Sequence, residues 1–394
     1  MSSTLTTRLG SAVIATIARL GPRGLQFVFL SLASVFIATQ GTVSAQVITE
    51  FPVPTLDSLP WAIAAGPDGA LWFTELQHGG KIGRITTAGV ITEFSNGIGN
   101  FYGITTGPDG ELWFTEEGQI GRITTSGEIT TFPVSGLPEV ITVGPDGALW
   151  FTEYYGGKIG RITTDGVVTE FPIPTSNALP VGITAGPDGA LWFTENHACK
   201  IGRVTTSGVF TEFQLQGAAD DCSAGLTVGP DGALWFGIGS RAVIGRMTTA
   251  GVLTEFQLPD LNSQPDLITN GPDGALWFAE GGTNKIGRIT IDGDFTEYQI
   301  PTPNSGPRWI TTGPDGALWF TEYYGNKIGR LALPQFVGTP GYSFCIGQSV
   351  ATLSQQYGGL KSAAAALGFS TTKTLQDSIR AYCGGSGLAP GIKP

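Results

Sequence analysis

The capacity for chemistry in this chain lies in its carboxylates and aromatic rings. It has 32 acidic residues but only two histidines, His78 and His197, and four cysteines. Two histidines leave little room for a His-rich metal site or a His-driven triad. The cysteines show no Cys-x-x-Cys spacing, so disulfides are expected rather than a metal centre. Glutamates recur at equivalent places, Glu75, Glu116, Glu153, Glu195, Glu280 and Glu322, with Gly237 breaking the series. Carboxylates so placed can attract a hard cation such as Mg²⁺ or Ca²⁺, or cap loop amides. Repetition favours the structural role. Function is sought where equivalent positions differ, and one set is strongly mixed: Trp61, Tyr102, Glu139, Val181, Ala224, Asp266 and Arg308-Trp309. Aromatic residues beside Arg308, Asp266 and Glu139 suit a ligand pocket, with Trp61, Tyr102, Glu139 and Trp309 as the ligand-binding set.

The elements that position these residues follow from internal repetition. Gly-Pro-Asp-Gly occurs seven times, beginning at Gly66, Gly107, Gly144, Gly186, Gly229, Gly271 and Gly313. Each copy precedes a run such as Ala70–Glu75 (ALWFTE), then Lys81–Thr86 (KIGRIT), then a turn and Val90–Phe94 (VITEF). These are short β-branched and aromatic segments bounded by Gly, Pro and Asp, which reads as four strands per repeat. A period near 42 residues with four strands is the signature of a β-propeller blade. One Trp per repeat, from Trp72 to Trp319, is expected to bury between stacked blades. The Arg row from Arg84 to Arg330 is expected to pair structurally with strand carboxylates. The seventh repeat lacks its Thr-Glu-Phe strand, and a matching segment, Val47–Phe51, precedes the first repeat. The expectation is that this N-terminal strand completes the last blade and closes the ring. His78 and His197 fall in loops after the second strands of blades one and four, too far apart to act together. Tyr154, Tyr155, Tyr323 and Tyr324 occupy equivalent loops of blades three and seven and can form a stacking rim.

The ends differ in composition. Residues 1–45 hold Arg8, Arg19 and Arg23, an apolar run from Leu25 to Ala38, and a small-x-small site at Val43–Ala45. That pattern predicts a cleaved secretory signal and a secreted or periplasmic protein. The run is short for a membrane span. Residues 334–394 read as a linker and a small helical C-terminal domain, with helical spacing over Gln348–Tyr357, Leu360–Leu367 and Thr372–Tyr382. Ser370 or Thr371 is the expected cap of the last helix. Cys345 and Cys383 bracket this stretch and predict a disulfide staple; Cys199 and Cys222 form the other expected pair. The fold class is therefore all-β: a seven-bladed β-propeller over 46–333, plus a disulfide-stapled helical appendage.

The repeat set Gly-Pro-Asp-Gly-x-Leu-Trp-Phe-Thr-Glu, Lys-Ile-Gly-Arg-Ile-Thr and Ile-Thr-Glu-Phe resembles the virginiamycin B lyase (streptogramin lyase) family across residues 46–333. The resemblance implies a seven-bladed propeller. It also implies Mg²⁺-assisted opening of the ester-linked ring of streptogramin B antibiotics by elimination. Family members use two His, each after a Pro that opens the first strand of the last two blades, with a nearby Glu and a blade-one aromatic. Here the positions after Pro265 and Pro307 hold Asp266 and Arg308. The aromatic corresponds to Trp61, where the family has Tyr, and the last-blade Glu to Glu322. The carboxylate that precedes the last Pro in the family is Gly306. The resemblance thus makes Asp266, Arg308 and Glu322 the candidate catalytic residues, with Mg²⁺ as the implied cofactor.

Three readings follow. The one favoured is a non-catalytic binding propeller that holds a small molecule, peptide or glycan at the channel mouth. The second is a Mg²⁺-dependent carbon–oxygen lyase opening a streptogramin-type ester or lactone ring. The third is a metal-dependent lactonase resembling the gluconolactonase propellers, for which Glu139, Asp266 and Asn270 are the contributors. A formal charge of −11 without a Lys/Arg run after the N-terminus argues against nucleic acid as a partner. A monomer is expected, free of the membrane once the signal is cleaved.

Overall fold

The computed structural model describes residues 48–77, 79–95, 99–215, 225–333, 350, 353, 359–366 and 371–384. The expected signal, residues 1–45, lies outside them. So do His78, Ala224, Cys222, Cys345 and the side chain of Cys383. Seven four-stranded antiparallel sheets make up the propeller. Blade one runs outward from the inner strand Pro60–Ala65 through Leu71–Glu75 and Lys81–Ile85 to Ile91–Phe94. Blades two to six repeat this order with inner strands Phe101–Thr106, Pro138–Val143, Pro180–Ala185, Leu226–Val228 and Pro265–Asn270. Blade seven takes Pro307–Thr312, Leu318–Glu322 and Lys327–Leu331 from the last repeat and Ile48–Pro52 from the N-terminal side. The register there is Ile48 opposite Leu331 and Pro52 opposite Lys327. The inner strand of each blade touches those of both neighbours, blade seven touching blade one.

One node recurs in every blade and explains the repeat motif. The turn aspartate takes the indole N–H of the strand-two tryptophan on Oδ1, at 3.1 Å for Asp68–Trp72 and 2.9 Å for Asp273–Trp277. Its other oxygen takes the strand-three arginine, as in Arg84–Asp68 and Arg288–Asp273, both 2.6 Å. The arginines therefore pair with turn aspartates rather than with strand carboxylates. In blade two the contact is looser, at 3.8 Å for Arg122–Asp109. The indole ring stacks on the outer-strand aromatic of the same blade, Trp72 on Phe94 at 5.5 Å and Trp319 on Phe51 at 5.6 Å. Each tryptophan is fully buried and packs on the next blade, Trp72 with Leu112 and Phe114, Trp319 with Leu71 and Phe73. A ring of that size excluded from water is worth on the order of several kcal/mol. Two glycines of the motif are steric necessities. A Cβ on Gly66 would lie 2.4 Å from the Trp72 ring, and one on Gly83 would lie 2.0 Å from Phe73.

Outer-strand glutamates fasten the connections between blades. Glu93 accepts from the Thr55 N–H at 3.0 Å and its hydroxyl at 2.8 Å, and pairs with Lys81 at 2.8 Å. Ser135–Glu170–Lys158, Thr175–Glu212–Lys200 and Thr302–Glu50–Lys327 repeat the arrangement. Beyond the propeller, helices α1 (Leu360–Ala366) and α2 (Thr372–Gly384) share a small core of Leu353, Ala363, Ala364, Leu375 and Ile379. Thr371 caps α2: its hydroxyl accepts the Thr374 N–H at 3.1 Å, and the Thr374 hydroxyl accepts the Thr371 N–H at 3.1 Å. Cys199 is buried and disulfide-bonded. Its expected partner and the expected staple of the helices lie outside the described residues.

Removing residues 48–52 deprives Lys327–Leu331 of its neighbour, Trp319 of Phe51 and Lys327 of Glu50. The melting temperature is expected to fall by on the order of 10 °C; an unchanged melting curve would refute the role of this strand in the seventh blade.

Candidate functional site

The mixed positions are set by an irregularity that the pairing shows directly. In six blades the inner strand carries a one-residue bulge just after its first residue. In blade one Pro60 lies opposite Glu75, but Ile63 lies opposite Phe73. The same shift follows Phe101, Pro138, Pro180, Pro265 and Pro307. Trp61, Tyr102, Glu139, Val181, Asp266 and Arg308 all sit in these bulges, where the strand is re-aimed toward the channel. The N–H released by the bulge is taken up by the strand-two threonine. In blade one the Ala62 N–H donates to Thr74 Oγ1 at 3.0 Å. That hydroxyl then donates to the carbonyl of the next blade's bulge residue, as Thr74 to Tyr102, Thr115 to Glu139 and Thr321 to Trp61. The threonines so fix the site residues' backbones from blade to blade. Blades five and six carry Gly237 and Ala279 instead, so Asp266 and Arg308 are held differently. Gly237 thus stands at the threonine's place, and it is Ile238, opposite Val243, that breaks the glutamate series. A Cβ on Gly237 would come within 2.9 Å of the Asp266 carbonyl oxygen.

Two adjoining cavities open at this end of the channel. The larger, about 480 Å³, is walled by Trp61, Tyr102, Glu139, Tyr154, Tyr155 and Trp309, among others. The second, about 400 Å³, is lined by Gln264, Ser240, Tyr324 and the glycines Gly239, Gly281 and Gly306, among others. Asp266, Arg308 and Asn196 belong to both. The mouth therefore has an aromatic half and a polar, glycine-walled half, with the Asp266–Arg308 pair where they meet. Arg308 Nη1 donates to Asp266 Oδ2 at 3.3 Å. Its guanidinium carbon lies 5.2 Å from the Trp61 ring centre and 5.4 Å from that of Tyr323, and those rings meet edge to face at 5.6 Å. Trp309 lines the large cavity and also the narrower one further down the channel. It packs on the hydrophobic clusters of several blades, so it forms a floor.

Burial pushes the Asp266 carboxyl up, against the pull of Arg308. Burial, then the charge of Asp266, pushes Glu139 up to about 7. Burial and the charges of Glu139 and Glu117 also raise the Tyr102 hydroxyl. Glu139 thus stands in a field of negative sign.

Six of the seven candidate catalytic and ligand-binding residues converge on the larger cavity; Glu322 does not. Its side chain is fully buried beside Pro307, near Ser305, Glu50 and Lys327. Glu75, Glu116, Glu153, Glu195 and Glu280 are equally buried, so the repeated series is structural. Asn270 also fails to join Asp266: it ends its strand, exposed, with Nδ2 donating to the Val228 carbonyl at 2.6 Å. That removes the donor set of the lactonase reading. Asn196 is a wall residue that sequence reasoning missed. The signal was present at the position after each second strand, which varies as Leu76, Glu117, Tyr154, Asn196, Gly239, Gly281 and Tyr323. A hard divalent cation needs several oxygen donors. At the mouth the carboxylates are Glu139 and Asp266, the latter already bound by Arg308. Among the described residues no three of His, Cys, Asp and Glu gather in metal-binding fashion. The donor set does not fit a protein-held Mg²⁺.

A family profile described as the virginiamycin B lyase family matches residues 37–224 and 217–338. A 39-residue stretch is 51% identical to a virginiamycin B lyase of Mycolicibacterium smegmatis (strain ATCC 700084 / mc(2)155), spanning 10% of this chain and 14% of that protein. A solved streptogramin B lyase is 38% identical over 73% of this chain and 98% of its own, with a TM-score of 0.69. A catalytically inactive His-to-Ala variant of virginiamycin B lyase from Staphylococcus aureus, solved with quinupristin, is 40% identical. It covers 73% of this chain and 99% of its own, again with a TM-score of 0.69.

The buried glutamates make stability depend on pH. Burial, then a second glutamate, pushes Glu75, Glu153, Glu195 and Glu322 each to about 7. Groups raised on folding contribute stability that is complete below the unfolded value near 4.5 and is lost as pH rises through 7. The clasp glutamates act oppositely: although burial opposes it, hydrogen bonds from Lys158 and Ser135 hold Glu170 at about 2, and its contribution is lost as pH falls through that value. The melting temperature is expected to peak near pH 4–5 and to decline by several degrees toward pH 7.5. A melting temperature rising steadily over that range would contradict the assignment, and Glu153→Gln should flatten part of the fall.

Proposed function

Since this chain belongs to the virginiamycin B lyase family, we propose that it is a ligand-binding propeller of that family. It holds a small molecule, peptide or glycan fragment with apolar rings in the aromatic half of the mouth and does not turn it over. The observation that carries this reading is the Asp266–Arg308 pair. These residues stand where the family resemblance places two His, and they hydrogen-bond to each other. Ring-opening elimination needs a base for a proton beside a carbonyl and support for the leaving oxygen. Arg308 is committed to Asp266, Trp61 and Tyr323. Asp266 has its Oδ2 taken up by the guanidinium, so that oxygen is engaged at the place where a base is wanted. What the mouth offers a ligand is aromatic area: Tyr102, Tyr154, Tyr155 and the edge of Trp61 above the Trp309 floor. The proposed setting is outside the cytoplasm, on the strength of residues 1–45 alone.

A second reading, a carbon–oxygen lyase with a relocated base, draws on one observation. Glu139, pushed up to about 7, has an affinity for protons suited to transfer near neutrality.

Both readings are tested by incubating the mature protein with a streptogramin B, with and without Mg²⁺. The linear product has the mass of the substrate and must be resolved chromatographically. The expected outcome is quenching of tryptophan fluorescence without ring opening. Trp61→Ala should weaken binding about tenfold or more, since a wall aromatic typically contributes 1–2 kcal/mol or above, and leave the melting temperature nearly unchanged. Ring opening that disappears in Glu139→Gln would establish the lyase instead.

A further inference from the structure

The charges at the mouth bear on which ligand it accepts. Asp266 and Arg308 neutralise one another at 3.3 Å. The Arg308 guanidinium also lies against Trp61 and Tyr323, so the one cation on this wall is fully engaged. Glu139 is different. It projects from its bulge in blade three into the larger cavity. Among the described residues no side chain hydrogen-bonds or ion-pairs with its carboxylate, and the charge it chiefly feels is that of Asp266. Around it stand Tyr102, and Tyr154 and Tyr155 packed edge to face at 4.8 Å. Tyr155 is three-quarters exposed, at 76%. A half-buried carboxylate facing electron-rich rings, with no cation of its own, is complementary to a positive charge carried on an apolar body.

We propose that the aromatic half of the mouth selects a cationic ligand, a protonated amine whose charge sets against Glu139 and whose apolar body packs on Tyr102, Tyr154, Tyr155 and Trp309. This rests on the mouth being the binding site. The groups lining the cavity with Glu139 are Asp266 and Arg308 across the channel, Tyr102 from blade two, on which the charge of Glu117 also acts, and Tyr154 and Tyr155 from its own blade. Burial, then the charge of Asp266, pushes Glu139 up to about 7, and burial raises Asp266 as well, so the negative charge of the mouth grows as pH rises through neutrality. Binding of the cation is therefore strongest when Glu139 is ionised and weakens as pH falls below 7.

Three probes of matched shape separate the possibilities: phenethylamine, 2-phenylethanol and 3-phenylpropionate, followed by ligand-observed NMR titration. At pH 8 the amine is expected to bind at least about tenfold more tightly than the alcohol. The margin should shrink at pH 6 and vanish in Glu139→Gln, whose melting temperature reports that it is folded. If that variant does not fold, the pH series on the unaltered protein carries the same test. Equal or tighter binding of the alcohol or the acid leaves the site standing and overturns the charge selection, as does a margin that survives in Glu139→Gln. Failure of all three probes at millimolar concentration counts against the mouth as a binding site and removes the premise.

Discussion

Everything in this propeller hangs on one carboxylate per blade. The turn aspartate holds the tryptophan N–H with one oxygen and the arginine with the other, fixing the ring's tilt in the sheet. The ring then has one face for its own blade's outer aromatic and contacts left for the next blade. A bare apolar ring would bury as much area but would not choose an orientation. Asp68, Asp146, Asp188, Asp231 and Asp315 are held below their usual range: burial opposes it, but the hydrogen bonds from indole and guanidinium prevail. They therefore remain ionised well into acid. Repeating this node at a constant spacing makes each blade a near-copy of the last.

That regularity lets the mouth diverge. The backbone that carries the site is bulged in the same way in six blades, and in five of them its loose N–H is satisfied by the same threonine. The side chain in the bulge is then free to be Trp, Tyr, Glu, Val, Asp or Arg at no cost to the sheet. The threonine chain lapses in blades five and six, and Asp266 and Arg308 are the two bulge residues it leaves to other supports. Chemical variation and relaxed backbone support fall on the same arc of the ring.

Much of this was legible in the residues. The glycine turns and the strand periodicity mark the blades. The displaced Val47–Phe51 segment marks the seam, and the non-repeating positions mark the mouth. What escaped has a common cause: it depends on register. Nothing in Leu-Trp-Phe-Thr-Glu says that its threonine answers a bulge on another strand. Nor does the motif reveal that Glu322 turns behind Pro307 rather than into the cavity. Asn196 was hidden because the loop position it occupies looks like ordinary surface variation. The arginine partners were misjudged for the same reason: a turn residue some 15 positions away, not a strand neighbour, meets the guanidinium.

The composite seventh blade sets an order of events during biosynthesis. Glu50 and Lys327, which meet in that blade, are 277 residues apart in the chain. The first strand to leave the ribosome is thus the last to find its partner, and contacts of such long range form slowly. Until then the nascent ring has two raw edges, one at each end, each able to pair with a foreign strand.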